Sequence, residues 1–105
     1  MSVSTHVLDS VTGRPAAGMA VRLLDGERVV AEGTTDADGR CRLVEGDTAT
    51  GTHRLVFGTG DWFAGRGRET FYPEVVLTFA VREPADHHHV PLLLSPFAYS
   101  TYRGS

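Results

Sequence analysis

At 105 residues, 41% of them hydrophobic and 22% charged, the chain is sized for one domain spanning 1–105 with one modest core. A net charge of −3 without a basic stripe argues against a nucleic-acid partner, and no apolar run approaches the roughly 20 residues of a membrane-spanning helix. All ten basic side chains are arginine, which excludes a lysine nucleophile or Schiff base. The opening MSVSTHVLD has neither a charged n-region nor an apolar h-region, and Cys41 is the only cysteine. Both features fit a cytoplasmic, reducing compartment.

Short β-like runs alternate with turn signals along the chain. Val3 to Leu8 reads as a first strand, broken by the Gly- and Pro-rich VTGRPAAG. Met19 to Leu24 and Arg28 to Thr34 flank Asp25-Gly26 and read as a hairpin. TTDADGR is a second turn, with Asp38-Gly39 tolerant of positive φ, and leads into Cys41 to Val44. Thr52 to Phe57, a strand within Phe71 to Arg82 after Pro73, His88 to Leu94 and Tyr99 to Tyr102 follow. About seven or eight strands at this spacing predict an all-β sandwich or barrel. One short helix fits around Gly60 to Ala64, inside a loop-like segment whose Trp62 and Phe63 need somewhere to pack.

Histidine is the unusual residue: five are present, three of them consecutive at 87–89. Strand alternation puts His87 and His89 on one face and His88 on the other with Val90 and Leu92. His6 lies mid-strand and shares its face with Ser4 and Leu8, while His53 sits where a loop enters a strand. Three readings of the triple histidine stand side by side: a solvated loop end, acid–base chemistry, and a metal site. The metal reading lacks a Glu or Cys at ligand spacing, Asp86 being the nearest acidic residue. Cys41 is flanked by Arg40 and Arg42, which would lower a thiol pKa, but a small buried cysteine is the commoner occupant of such a strand. No GxSxG elbow, GxGxxG or Walker loop occurs. The last residues, YSTYRGS, are chemically loaded for a terminus, where frayed and bland sequence is the norm.

STHVLD with TGRPA, TDADGR, FYPEV and HVPLLLSP closed by YSTYRGS together resemble the transthyretin-like family, in its 5-hydroxyisourate hydrolase branch. The terminal YRGS is the most specific part, since the hormone-carrying transthyretins lack it. The resemblance implies a transthyretin-like (pre-albumin-like) sandwich of two four-stranded sheets with one short helix. It further implies edge-paired dimers stacked into a homotetramer, and no metal or organic cofactor. The implied reaction opens the cyclic amide of the purine-derived 5-hydroxyisourate with water, during urate breakdown. The implied catalytic residues are His6, Arg40, His89 and Ser105, with His6, Arg40, Tyr102, Arg103 and Gly104 binding substrate. His87 is the alternative for the part of His89. His88 stands where relatives often have an aromatic residue, so packing rather than chemistry should change there.

Such a reaction needs a group to take a proton from water, a group to stabilise the developing oxyanion and a group to protonate the leaving nitrogen. Imidazoles suit the first and third, and a guanidinium suits the second. Gly104 is expected to bend the tail so that Tyr102 and Ser105 close the site. The rival readings are a carrier of a small aromatic ligand, a structural sandwich module and a metal-binding protein.

Overall fold

The computed structural model describes residues 2–46 and 49–105. Nine strands and one helix follow in chain order among these: β1 (Ser2–Asp9), β2 (Arg14–Pro15), β3 (Ala20–Asp25), β4 (Arg28–Thr34), β5 (Arg40–Glu45), β6 (Gly51–Phe57), α1 (Thr59–Ala64), β7 (Val75–Val81), β8 (His87–Ser95) and β9 (Ala98–Thr101). They form two sheets. One runs β4-β3-β6-β7, antiparallel throughout. The other runs β1-β8-β9, with β5 and the two-residue β2 sharing the far side of β1. Each sheet is therefore four strands wide, β5 and β2 lying end to end along one edge.

Alternation builds the core. Val3 and Val7 of β1, Val21 and Leu23 of β3, and Leu92 and Leu94 of β8 are buried, while their neighbours along each strand mostly face outward. The β1–β8 pair is parallel, in register from Ser2↔His87 to Asp9↔Leu94. A parallel pair at the centre of its sheet suits β8, whose Val90, Pro91 and Leu92 form a continuous buried run.

Helix α1 and the loop after it cap one end of the sandwich. Phe63 and Trp62 are buried, and Trp62 Nε1 donates to the Ala17 carbonyl at 2.8 Å. The Arg66 guanidinium lies 4.0 Å from the Trp62 ring centroid and donates to the same carbonyl. Arg68 reaches back to Asp9, with Nη1 to Oδ2 at 2.5 Å. Burial pushes the Asp9 carboxyl up, but the Arg68 hydrogen bond, the Val11 and Thr12 N–H groups and the Arg68 charge together hold it below the usual carboxylate value. A depressed carboxyl contributes stability above its unfolded pKa near 3.8 and loses it as pH falls through the folded value. Replacing Arg68 by Met leaves a carboxylate that is 3% exposed without its partner. We expect a loss of about 3 kcal/mol in urea unfolding at neutral pH. The double variant with Asp9→Asn should recover most of it; a single-variant loss below roughly 1 kcal/mol would contradict the pairing.

Several sequence expectations shift. VTGRPAAG contains β2, which pairs Leu8↔Pro15 and Asp9↔Arg14. The strand expected within 71–82 starts at Val75. His53 is not at a loop boundary: it lies inside β6, 1% exposed, its ring tilted against Phe79.

Candidate active site

The outer face of the β1 sheet carries the candidate site. In the antiparallel β1–β5 ladder His6 sits opposite Arg40. In the parallel β1–β8 ladder Ser4 sits opposite His89 and His6 opposite Pro91. Directly paired residues point to the same side of a sheet, so Ser4, His6, Arg40 and His89 share one face. Beside His6, which shares the face but does not line it, opens a cleft of about 160 Å³ lined by Ser4, Arg40, Arg42, His87, His89 and Ser105, among others.

Arg40 is aimed by the TDADGR turn. The Asp36 carboxylate accepts from the backbone N–H groups of Asp38 and Arg40, each at 2.9 Å. Gly39 has φ +76°, and a Cβ there would meet the Val7 carbonyl oxygen at 2.4 Å. Only glycine fits so close an approach with a left-handed backbone. Among the described residues the Arg40 guanidinium has no carboxylate partner, so it is available to an electron-rich ligand.

His89 is held on two sides. Its Nδ1 lies 2.8 Å from Ser4 Oγ. The tail, after leaving β9, returns so that Gly104 pairs with His89, its N–H donating to the His89 carbonyl at 2.8 Å. The loaded terminus is thereby tied into the sheet, and Ser105 is delivered to the cleft. Gly104 is not among the glycines with positive φ, so the expected bend is not its role. Close approach is: a Cβ on Gly104 would sit 2.5 Å from His89 Cδ2. Gly104→Ala must displace the imidazole or the tail. A misplacement on the order of 1 Å can cost about 10²-fold in rate. We expect that loss in kcat/KM with an unchanged melting temperature; near-normal turnover would show that the His89–Gly104 contact does not set the geometry.

The His89 pKa is lowered by burial, and further by the charges of His87, Arg40 and His6. The ring therefore stays neutral, able to accept a proton, to lower pH than an ordinary histidine. His87, exposed, stacks on His89 with ring centroids 6.0 Å apart. His88 is buried on the opposite face beside Phe79, as alternation requires. The three consecutive histidines therefore do not converge. Among the described residues no three His, Cys, Asp or Glu side chains gather as a metal-holding group.

Tyr102 and Arg103 stand apart from Ser105. They line a neighbouring groove of about 390 Å³ with Val76, Phe79 and Val90, of which His89 forms a shared wall. Cys41 departs from the activated-thiol alternative: burial first, then the Asp36 charge, push its pKa up. Ser2 and Ser4, which touch the paired histidines, were not singled out from sequence. Their signal is the alternation Ser2-x-Ser4-x-His6 on one strand face.

A two-sheet sandwich with imidazoles and a guanidinium on one outer face, and Ser105 of the tail beside them, has the architecture of a small transthyretin-fold protein. The chain belongs to the HIUase/Transthyretin family, whose sequence model matches residues 3–104. It is 51% identical to a 5-hydroxyisourate hydrolase of Caulobacter vibrioides over 98% of this chain and 97% of that one. The structure of 5-hydroxyisourate hydrolase from Klebsiella pneumoniae superposes with a TM-score of 0.93 at 38% identity, each chain fully covered. Sea bream transthyretin in complex with thyroxine superposes at 0.86 with 28% identity, over 97% of this chain and 93% of that one. No helix among the described residues is long and apolar enough to cross a membrane.

Proposed function

We propose that this chain is a 5-hydroxyisourate hydrolase, opening the cyclic amide of its substrate to 2-oxo-4-hydroxy-4-carboxy-5-ureidoimidazoline in urate degradation. The observation that carries the reading is the shared face of His6, Arg40 and His89, roofed by Ser105 at the end of the tail. Of the two imidazoles, one removes a proton from the attacking water and the other protonates the leaving nitrogen. Arg40 holds the substrate oxygens and stabilises the charge that develops on the carbonyl. The Ser105 hydroxyl or terminal carboxylate orients the water or an imidazole, and no covalent intermediate is required. Tyr102, Arg103 and Gly104 act on substrate by fixing the tail, Gly104 through its contact with His89.

A carrier of an apolar aromatic ligand, the alternative within this family, would be served by an apolar surface. The cleft instead presents Arg40, Arg42 and His89, with His6 on the same sheet face beside it, and these groups suit a small polar heterocycle. In this reading these side chains act without a metal or organic cofactor. The working assembly in this reading is a homotetramer, a dimer of dimers, in the cytoplasm. Support for assembly comes from the open edges β7 and β9 and from the exposed Phe71, Phe97, Tyr99 and Tyr102 near them. Cys41 as a free thiol is in keeping with a reducing compartment.

The test is the decay of freshly generated 5-hydroxyisourate, followed by absorbance with and without the protein. Acceleration proportional to protein concentration is expected. The spontaneous rate, unchanged by folded protein, would refute the reading.

A further inference from the structure

The hydroxyl of Ser4 contacts two imidazoles at once. Ser4 Oγ lies 2.8 Å from His89 Nδ1 and 3.2 Å from His87 Nε2. The other nitrogen of His87, Nδ1, is hydrogen-bonded to Ser2 Oγ. Ser4 itself is only 8% exposed, so bulk water does not replace these partners. The four groups form one chain, Ser2–His87–Ser4–His89, running from the N-terminal ends of β1 and β8, where His87 is exposed, along the cleft to His89.

A hydroxyl has a single proton to donate. Facing two ring nitrogens, Ser4 donates to one and accepts from the other, so the tautomers of His87 and His89 are coupled. We propose that Ser4 and His87 are positioning residues for the hydrolysis, holding His89 with its proton on Nδ1 and carrying a proton away from it during turnover. This rests on the hydrolase reading above.

In the resting arrangement His89 Nδ1–H donates to Ser4 Oγ, the Ser4 O–H donates to His87 Nε2, and His87 Nδ1–H donates to Ser2 Oγ. The His89 Nε2 lone pair then faces the cleft as the base. When Nε2 takes the proton of the attacking water, the Nδ1 proton crosses to Ser4 Oγ as the Ser4 proton passes to His87 Nε2. Ser4 and His89 end neutral, His87 ends as imidazolium, and solvent takes the proton from it. The movement has an electrostatic reason. His6 on β1, Arg40 and Arg42 on β5 and His87 on β8 face His89 or its cleft, with Ser105 at the tail. A positive charge on part-buried His89 is opposed by the charges of His87, Arg40 and His6, whereas exposed His87 is solvated.

The experiment combines kinetics with nitrogen-15 spectra of labelled histidines. Ser4→Ala should lower kcat by about ten- to a hundredfold with little change in KM, and Ser4→Thr should restore it. His87→Ala should be impaired and regain turnover on adding free imidazole. The dependence of kcat on deuterium fraction should be curved for the parent protein, from more than one proton in flight, and linear for Ser4→Ala. Parent-like kcat and pH profile in both Ser4→Ala and His87→Ala, or no imidazole rescue, would overturn the relay. If the parent protein fails to accelerate 5-hydroxyisourate decay, the hydrolase reading falls by itself. The spectra then judge the hydrogen-bonded arrangement: at pH 8 His89 should carry its proton on Nδ1 and lose that bias in Ser4→Ala. An Nε2-protonated His89 in the parent protein would overturn it.

Discussion

Replacing His89 by Asn should lower kcat by about 10²–10⁴-fold and leave the fold intact. Asparagine keeps a polar side chain on the outer face of β8, where the residue is only part-buried, so the core registers no loss. What disappears is a ring nitrogen that changes protonation near neutral pH. The pH profile carries a second mark. Activity supported by neutral His89 is lost as pH falls through its pKa, which burial and the neighbouring cations place below the ordinary 6.5. The parent protein should therefore hold its rate to lower pH than an unperturbed histidine allows. Steady-state kinetics with circular dichroism decides the point: a folded His89→Asn variant with near-normal kcat would remove His89 from the chemistry. His6→Asn should behave alike if, as proposed, the two rings divide the proton transfers.

Arg40→Met should cost about 10²–10³-fold in kcat/KM, the size found when one oxyanion-stabilising donor is removed. Arg40 is exposed and is aimed by backbone contacts of the Asp36 turn, so the substitution is not expected to disturb the sheet. It also removes one of the cations that lower the His89 pKa. The acidic limb of the kcat/KM profile should consequently move to higher pH. A loss under tenfold with an unmoved limb would show that Arg40 neither holds the substrate nor influences His89. Arg40→Lys should recover the limb more fully than the rate, because an ammonium restores charge without the planar fork.

The strands were legible wherever alternation and turn chemistry agreed. Arg28 to Thr34, set off by Asp25-Gly26, matches β4 at both ends. Elements fixed by tertiary pairing were not: β2 exists only because Arg14 and Pro15 lie alongside Asp9 and Leu8. His53 looked peripheral because the expected strand began only at Thr52, one residue before it, yet β6 begins at Gly51 and buries the ring. For the site, the shared face of His87 and His89 followed from period-two geometry, and His88 fell on the other side for the same reason. The separation of Tyr102 and Arg103 from Ser105 could not be read from sequence. It depends on the tail leaving β9 and rejoining at Gly104. Gly104 itself was a recognisable special position assigned the wrong physical cause: the constraint is the His89 ring at contact distance, not the backbone dihedral.

The most direct test of the account compares the full chain with one ending at Thr101, both assayed on freshly generated 5-hydroxyisourate. The full chain should accelerate decay in proportion to its concentration. The truncated chain should remain folded, since residues 102–105 contribute nothing to the buried core, and should fall to the spontaneous rate. A truncated chain as active as the full one would contradict the claim that the C-terminus is a wall of the active site.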